Sequence, residues 1–180
     1  NGGNQNMKYA ASIGYLGDEG KVAMSKYKLF TMHGNTSFKI VDGLEASTTF
    51  DFSNAIKNPL TGDYFACLGR GLMMSPTHIG KYTDGTFATG GTNKNQQSAE
   101  FYETFYDRET VRNKFMGTMN LKWSPVNWFD ITAQYTIYDE NYRGSYYAYG
   151  EVNGTPNYVS TTRSTTETRT QTMRHDAQIF

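Results

Sequence analysis

The segment LEASTTFDFS, residues 44–53, alternates apolar or small side chains with polar or charged ones along its whole length. Leu44, Phe50 and Phe52 share one phase of the alternation, and Glu45 and Asp51 share the other. Because successive side chains of a β-strand point to opposite faces, the segment predicts a strand with one apolar and one polar face. Its length, about ten residues, is what a tilted strand needs to cross a membrane.

Four further segments alternate in the same way, and the connections between the five differ sharply in length. Short turns are predicted at residues 41–43, where Asp42-Gly43 is a hairpin signal, and at residues 124–127 around Pro125. By contrast, the alternation is absent from residues 54–109, and a second excursion is predicted after Tyr138. Short turns at one end and long loops at the other are typical of transmembrane antiparallel β-barrels. The four additional segments are residues 7–16, 27–40, 111–123 and 129–138.

Within the long connections the sequence predicts some local structure. Asp63 is a candidate N-cap for a helix over residues 64–73, and residues 101–106 read as a strand above the membrane. Asp84-Gly85 is explained by turn chemistry, and residues 17–20 form a turn cluster. A Thr-rich, charged run at residues 158–174 has no apolar face and is expected to project beyond the bilayer.

Composition limits the classes of protein that the chain can belong to. Its 180 residues carry no net charge, which gives no indication of a nucleic-acid-binding surface. No stretch approaches the roughly 20 apolar residues of a transmembrane helix. The single Cys67 excludes an internal disulfide framework, and no Cys or His cluster has the spacing of metal ligands. A soluble β-sandwich could have the same composition, so that alternative stays open.

No catalytic arrangement is predicted. His33, His78 and His175 are scattered along the chain, and no nucleophile, cofactor motif or metal motif accompanies them. We therefore predict that the chain is not an enzyme and needs no cofactor. The feature with binding interest is an aromatic cluster in the second excursion, whose members are candidates for substrate contact or for packing between loops: Tyr146, Tyr147 and Tyr149.

Several strings, in order, resemble the SusC/RagA family of TonB-dependent outer-membrane transporters. Two departures from that family's pattern are Leu29 and His33, which stand where it has arginines, so no inference about ligand charge is carried over there. The resemblance covers about 100 residues. The matching strings are Gly2-Gly3-Asn4, residues 8–16, Glu19-Gly20, Tyr27-Lys28 with Asn35, residues 41–44, and Pro76 followed by residues 82–85.

The resemblance implies active import of oligosaccharides or peptides across the bacterial outer membrane. A SusD-like lipoprotein would cover the extracellular face, and TonB would engage a plug-bearing region upstream. We expect residues 1–180 to be part of one β-barrel domain of a longer polypeptide, with about six of its 22 strands. The alternation predicts that the lumen wall includes Glu45, Asp51, Arg112, Lys114 and Asp130.

Two other functions remain compatible with the sequence. The first is a soluble β-sandwich carbohydrate-binding module, which would bury one face of each strand against a second sheet. The second is a passive outer-membrane porin, which keeps the barrel but has no plug, TonB or lipoprotein partner.

Overall fold

A computed structural model describes residues 1–20, 25–59, 77, 79–87, 99–152 and 155–179. Most of them lie in one antiparallel sheet of seven strands, which pair in chain order. Across the described residues the sheet is open, since no pairing joins its first and last strands. The elements are β1 (Gly2–Gly3), β2 (Met7–Glu19), β3 (Lys26–Val41), β4 (Leu44–Asn58), α1 (Ala99–Phe105), β5 (Tyr106–Val126), β6 (Phe129–Val152) and β7 (Thr155–Ile179).

The all-β prediction is confirmed, and each of the five predicted strands lies within one of β2 to β6. The excursion predicted after Tyr138 is wrong, because β6 continues to Val152 and pairs with the Thr-rich run of β7. Backbone hydrogen bonds extend this hairpin without an apolar face, and Thr and Tyr both favour extended backbone. The alternation therefore marks where a strand is apolar and not where it ends.

The short turns differ in how well the sequence located them. Asp42-Gly43 forms the predicted turn, with Gly43 at φ 81°, a conformation that favours glycine. The second turn lies at Asn127-Trp128 and not at residues 124–127, because β5 continues through Pro125 to Val126. A register shift accompanies this proline, which has no N–H to donate to the ladder.

The turn predicted at residues 17–20 is wrong for residues 17–19, which lie in β2. Gly17, Asp18 and Glu19 pair with Lys28, Tyr27 and Lys26, and the Gly20 N–H donates to the Ser25 carbonyl at 2.7 Å. A glycine and two acidic residues at the end of a strand thus remain within the ladder.

One face of the sheet, here called the apolar face, carries the apolar phase of every long strand. Cross-strand rows run across it, such as Ile13–Met32–Phe52–Phe115. Polar side chains interrupt it at Thr36, Thr48, Asn54, Asn113 and His175. The Asn54 amide donates to Asn113 Oδ1 at 2.5 Å, and the His175 ring lies 4.7 Å from that of Tyr135. The large apolar members are Met7, Tyr9, Ile13 and Tyr15 on β2; Phe30, Met32 and Phe38 on β3; Leu44, Phe50, Phe52 and Ile56 on β4; Val111, Phe115, Met119, Leu121 and Trp123 on β5; Ile131, Tyr135 and Ile137 on β6; and Met173 and Ile179 on β7.

Nothing among the described residues covers the apolar face. Residues Ile13 and Met173 are 72% and 62% exposed, and Trp128 at the turn is 81% exposed. All described strands belong to the same sheet, so no second sheet packs on this face within the described residues.

A glycine makes room for an aromatic ring in the middle of the apolar face. Phe50 lies between Gly34 on β3 and Gly117 on β5. A Cβ atom at Gly34 would collide with the Phe50 ring, which rests on the glycine backbone. This is the arrangement in which an aromatic side chain covers a glycine on a neighbouring strand.

The buried hydrophobic side chains of the described residues lie outside the sheet, in a small cluster of Phe87, Phe101 and Phe105. Phe101 and Phe105 stack at 4.2 Å on α1, and Phe87 meets both rings edge-on at 5.7 Å. The strand predicted for residues 101–106 is therefore wrong for 101–105. Their spacing of four residues places both phenylalanines on one side of a helical turn, and that packing overrides the β propensity of aromatic residues.

Several expectations fall outside the described residues: the helix over residues 64–73, Cys67, His78 and Pro76. Within the described ranges, no helix has the length and apolar character needed to cross a membrane.

Candidate functional site

The face opposite the apolar face, here called the polar face, carries the second phase of each strand. The register places all five predicted lumen residues on it. Glu45 pairs with Lys122, Asp51 with Met116, and Lys114 with both Ser53 and Glu140. The alternation therefore assigned all five residues to a common face.

These five residues do not form a single site. Glu45 and Asp130 lie near the short turns, Asp51 lies midway along its strand, and Arg112 and Lys114 lie toward the long connection. Each group has its own partners. At the short-turn end, for instance, the Lys122 ammonium is 3.3 Å from the Asp130 carboxylate.

In the middle of the polar face, a histidine pairs with a carboxylate. His33 Nδ1 and Asp51 Oδ1 are 2.5 Å apart on adjacent strands, and both side chains are less than half exposed.

Toward the long connection, one carboxylate is shared by several groups. The Arg112 Nε donates to Glu140 at 2.5 Å, the Lys114 ammonium is 4.0 Å from the same carboxylate, and the Tyr138 hydroxyl donates to its other oxygen. The Glu140 side chain is only 16% exposed. A carboxylate with three partners stays ionised and fixes the side chains around it.

The same end of the polar face contains a groove of about 510 Å³ that spans β3 to β6. Two of its cations, Lys57 and Arg108, were not among the predicted site residues. The signal that could have found Arg108 is the spacing on β5, since residues 108, 112 and 114 differ by even numbers and therefore share a face. Lys57 is likewise an even number of residues from Asp51 on β4. The polar and aromatic lining includes Tyr27, Lys57, Arg108, Arg112, Lys114 and Tyr142.

The predicted tyrosine cluster does not form one surface. Tyr146, Tyr147 and Tyr149 lie in β6 and not in a loop. Tyr146 stacks on Tyr106 at 6.2 Å on the polar face, whereas Tyr147 lies on the opposite face, 5.4 Å from the Arg163 guanidinium. Tyr149 follows a register irregularity at Ala148. Whether any of the three contacts a substrate stays a prediction.

Acidic side chains in two turns have pKa values set by local contacts. The Lys39 ammonium lies 2.7 Å from Asp42 and holds the pKa of that carboxyl below its usual range. Asp84 accepts hydrogen bonds from the Thr86 hydroxyl and N–H at 2.7 and 2.9 Å, which lowers its pKa. Both turns are thus fixed by an ionised aspartate, and the Asp84-Gly85 turn is confirmed.

In the part of the chain that the structure describes, no group of three or more His, Cys, Asp and Glu side chains is arranged to hold a metal ion. No family model matches the chain, and no curated protein matches it either.

Proposed function

We propose that this chain is part of the wall of an outer-membrane β-barrel that imports oligosaccharides or peptides, as a SusC/RagA-like, TonB-dependent transporter. The apolar face contacts lipid and the polar face lines the passage. The role is transport, with no catalytic step.

The observation that carries the proposal is the exposure of the apolar face. Ile13, Met119 and Ile179 are each more than half exposed, on three different strands of one sheet. A contiguous apolar surface of this kind is costly in water, at roughly 25 cal/mol per Å². A bilayer accommodates it, because lipid chains replace water on that face.

The outline of the apolar face supports a membrane-spanning arrangement. On β5 its uninterrupted part extends over residues 115–123, about 26 Å of strand at roughly 3.3 Å per residue. On β6 and β7 it gives way to polar groups just beyond Ile137 and Met173, where Arg169 holds Asp139 at 2.8 Å. An apolar stretch bounded by ion pairs is expected where a barrel wall emerges from the hydrocarbon region.

The apolar region also runs obliquely across the strands. The row of Met173 passes through Ile137 to Ala11 on β2, but apolar side chains on β2 continue beyond Ala11 to Tyr15. A band that is oblique to the strands is what tilted barrel strands would present to a flat bilayer.

The strings that resemble the SusC/RagA family take structural positions that suit it. Gly2–Gly3 pairs with the start of β2, residues 8–16 lie within β2, and residues 41–43 contain the short turn. The family resemblance supplies the partners: TonB acting through an upstream plug region, and a SusD-like lipoprotein over the long-loop end.

The proposed mechanism assigns a different task to each face. TonB withdraws the plug, and substrate passes along the polar face, where Asp51 contacts His33, Asp130 pairs with Lys122, and Glu45 lies opposite Lys39 and Lys122 in the register. Pairs such as Lys122–Asp130 keep that part of the wall polar without presenting isolated charges that would retain a passing solute.

The test is uptake by cells that express the full-length protein. Outer-membrane fractionation first establishes location, and growth on defined glycans or peptides is then compared between cells with and without TonB and the companion lipoprotein. We expect outer-membrane recovery and uptake that is lost without TonB. Uptake that persists without TonB would indicate a passive porin, and a protein that is soluble without detergent would indicate the β-sandwich alternative.

A further inference from the structure

We infer that the groove at the long-connection end of the polar face binds carboxylated oligosaccharides, such as oligouronides. The inference rests on the proposed function only for the groove's role in transport. Binding itself follows from the residues that line the groove.

The first argument is the arrangement of the cations. Lys57 pairs with Thr110, which places it diagonally between Arg108 and Arg112 on the neighbouring strand. Diagonal neighbours across a ladder are about 7–8 Å apart at the backbone. Three cations therefore line the same part of the groove, with Lys114 one step further along β5.

The second argument is the shortage of anions around these cations. Among the described residues, neither Lys57 nor Arg108 has a carboxylate within 4 Å. Glu140 pairs with Arg112 and Lys114, and Asp18 is separated from Lys57 by the intervening strand β3. The cations that share the groove repel one another, and an anionic ligand would relieve this repulsion.

The third argument concerns the class of ligand. Tyr27 and Tyr142 stand on either side of the cations, and Ser53 and Thr110 add hydroxyls to the lining. Tyrosine rings provide flat faces for sugar rings, and the hydroxyls match sugar hydroxyls. The described apolar lining is limited to Leu29, Ala55 and Pro59, which offers little to the side chains of a peptide.

The hydroxyl-rich surface continues beyond the groove. On the polar face of β7, every alternate position from residue 162 to 172 is a threonine or serine, and Thr168 pairs directly with Tyr142. An oligosaccharide longer than the groove would therefore meet further hydroxyls along the same face. The row comprises Thr162, Ser164, Thr166, Thr168, Thr170 and Thr172.

The experiment measures binding to the full-length protein in detergent by titration calorimetry, with hexagalacturonate as the probe. Maltohexaose is the neutral comparison and hexaglutamate the acidic peptide comparison. We expect hexagalacturonate to bind at least tenfold more tightly than either, and its affinity to fall as salt is raised. Equal binding of maltohexaose, or tighter binding of hexaglutamate, would overturn the inference.

A matched pair of variants locates the site. The double variant Lys57→Gln/Arg108→Gln should weaken hexagalacturonate binding about tenfold or more, since charge-assisted hydrogen bonds are lost. The control Lys28→Gln/Arg143→Gln removes the same charge from the opposite face and should change affinity less than twofold. The charge-conserving variant Lys57→Arg/Arg108→Lys should keep most of the affinity. This result would show that the weaker binding of the glutamine variant comes from the lost charges and not from misfolding.

If the groove variants bind as the wild type does, the inference fails. Because binding in detergent needs neither TonB nor a membrane, this result is distinct from a failure of the transport proposal. A failure of the transport proposal would instead be seen as a loss of outer-membrane location while hexagalacturonate binding stays intact.

Discussion

The two faces of the sheet are made by the same strands, yet they differ in how their side chains are satisfied. On the polar face, neighbouring strands supply one another's partners, as in the pairs His33–Asp51 and Lys122–Asp130. On the apolar face, Ile13 and Met119 remain largely exposed. Apart from the groove cations Lys57 and Arg108, much of the polar face is thus satisfied within the sheet, whereas no described residue covers the apolar face. The proposed membrane environment follows from this difference.

The largest expected effect comes from a charge placed on each face in turn. Met119→Arg puts a cation in the middle of the apolar face and should lower the free energy of unfolding in lipid vesicles by about 2–4 kcal/mol. Asn120→Arg, on the polar face of the same strand, should lower the same free energy of unfolding by less than about 1 kcal/mol. Urea titrations of the protein in vesicles measure both. Equal losses for the two variants would mean that the faces do not differ in environment.

A smaller difference is expected between two glycines that lie on opposite faces. Gly34→Ala drives a Cβ into the Phe50 ring and should cost about 1–3 kcal/mol by overpacking. Gly14→Ala places its Cβ 2.7 Å from the Thr31 hydroxyl, which can rotate away, so the cost should stay below about 1 kcal/mol. The same unfolding titration compares them, and a larger loss at Gly14 would contradict the packing described for Phe50.

The smallest effect is expected at the Asp42-Gly43 turn, which joins β3 to β4. The pKa of Asp42 is lowered by Lys39, so its ionised form is favoured in the folded turn. The ionised carboxylate therefore stabilises the folded turn. This stabilisation is fully present above the pKa of aspartate in the unfolded chain, and it is lost as the pH falls through the lower pKa of the folded state.

Amide hydrogen exchange at residues 41–44 tests this pH dependence. Asp42→Asn should exchange faster than the wild type near neutral pH and match it in acid. A difference that persists unchanged at low pH would show that the Lys39 contact does not depend on ionisation of Asp42.

Much of the sheet could be predicted from the sequence because the faces impose a period of two. Leu44 to Phe52 show that period clearly, and their strand is found where expected. Strand ends were harder to predict: β6 continues past Tyr138 because backbone pairing with β7 needs no apolar face. Phe101 and Phe105 were misassigned to a strand, since only tertiary packing against Phe87 reveals why they are helical.

The candidate site was predictable in part. Arg112 and Lys114 were placed on the correct face, but the groove depends on Lys57 from a strand more than 50 residues away in sequence. Only the register of β4 against β5 brings these groups together. Alternation assigns a side chain to a face, and it does not say which residues of another strand will stand beside it.

The central claim, that the apolar face contacts lipid, is tested most directly by a nitroxide scan of residues 115–123 in bilayers. The collision rates with oxygen and with a water-soluble nickel chelate are measured at each position. We predict that oxygen dominates at odd positions, including Gly117, and the chelate at even ones, including the apolar Met116. A profile with no period of two, or with the chelate dominant at Met119 and Leu121, would contradict the claim.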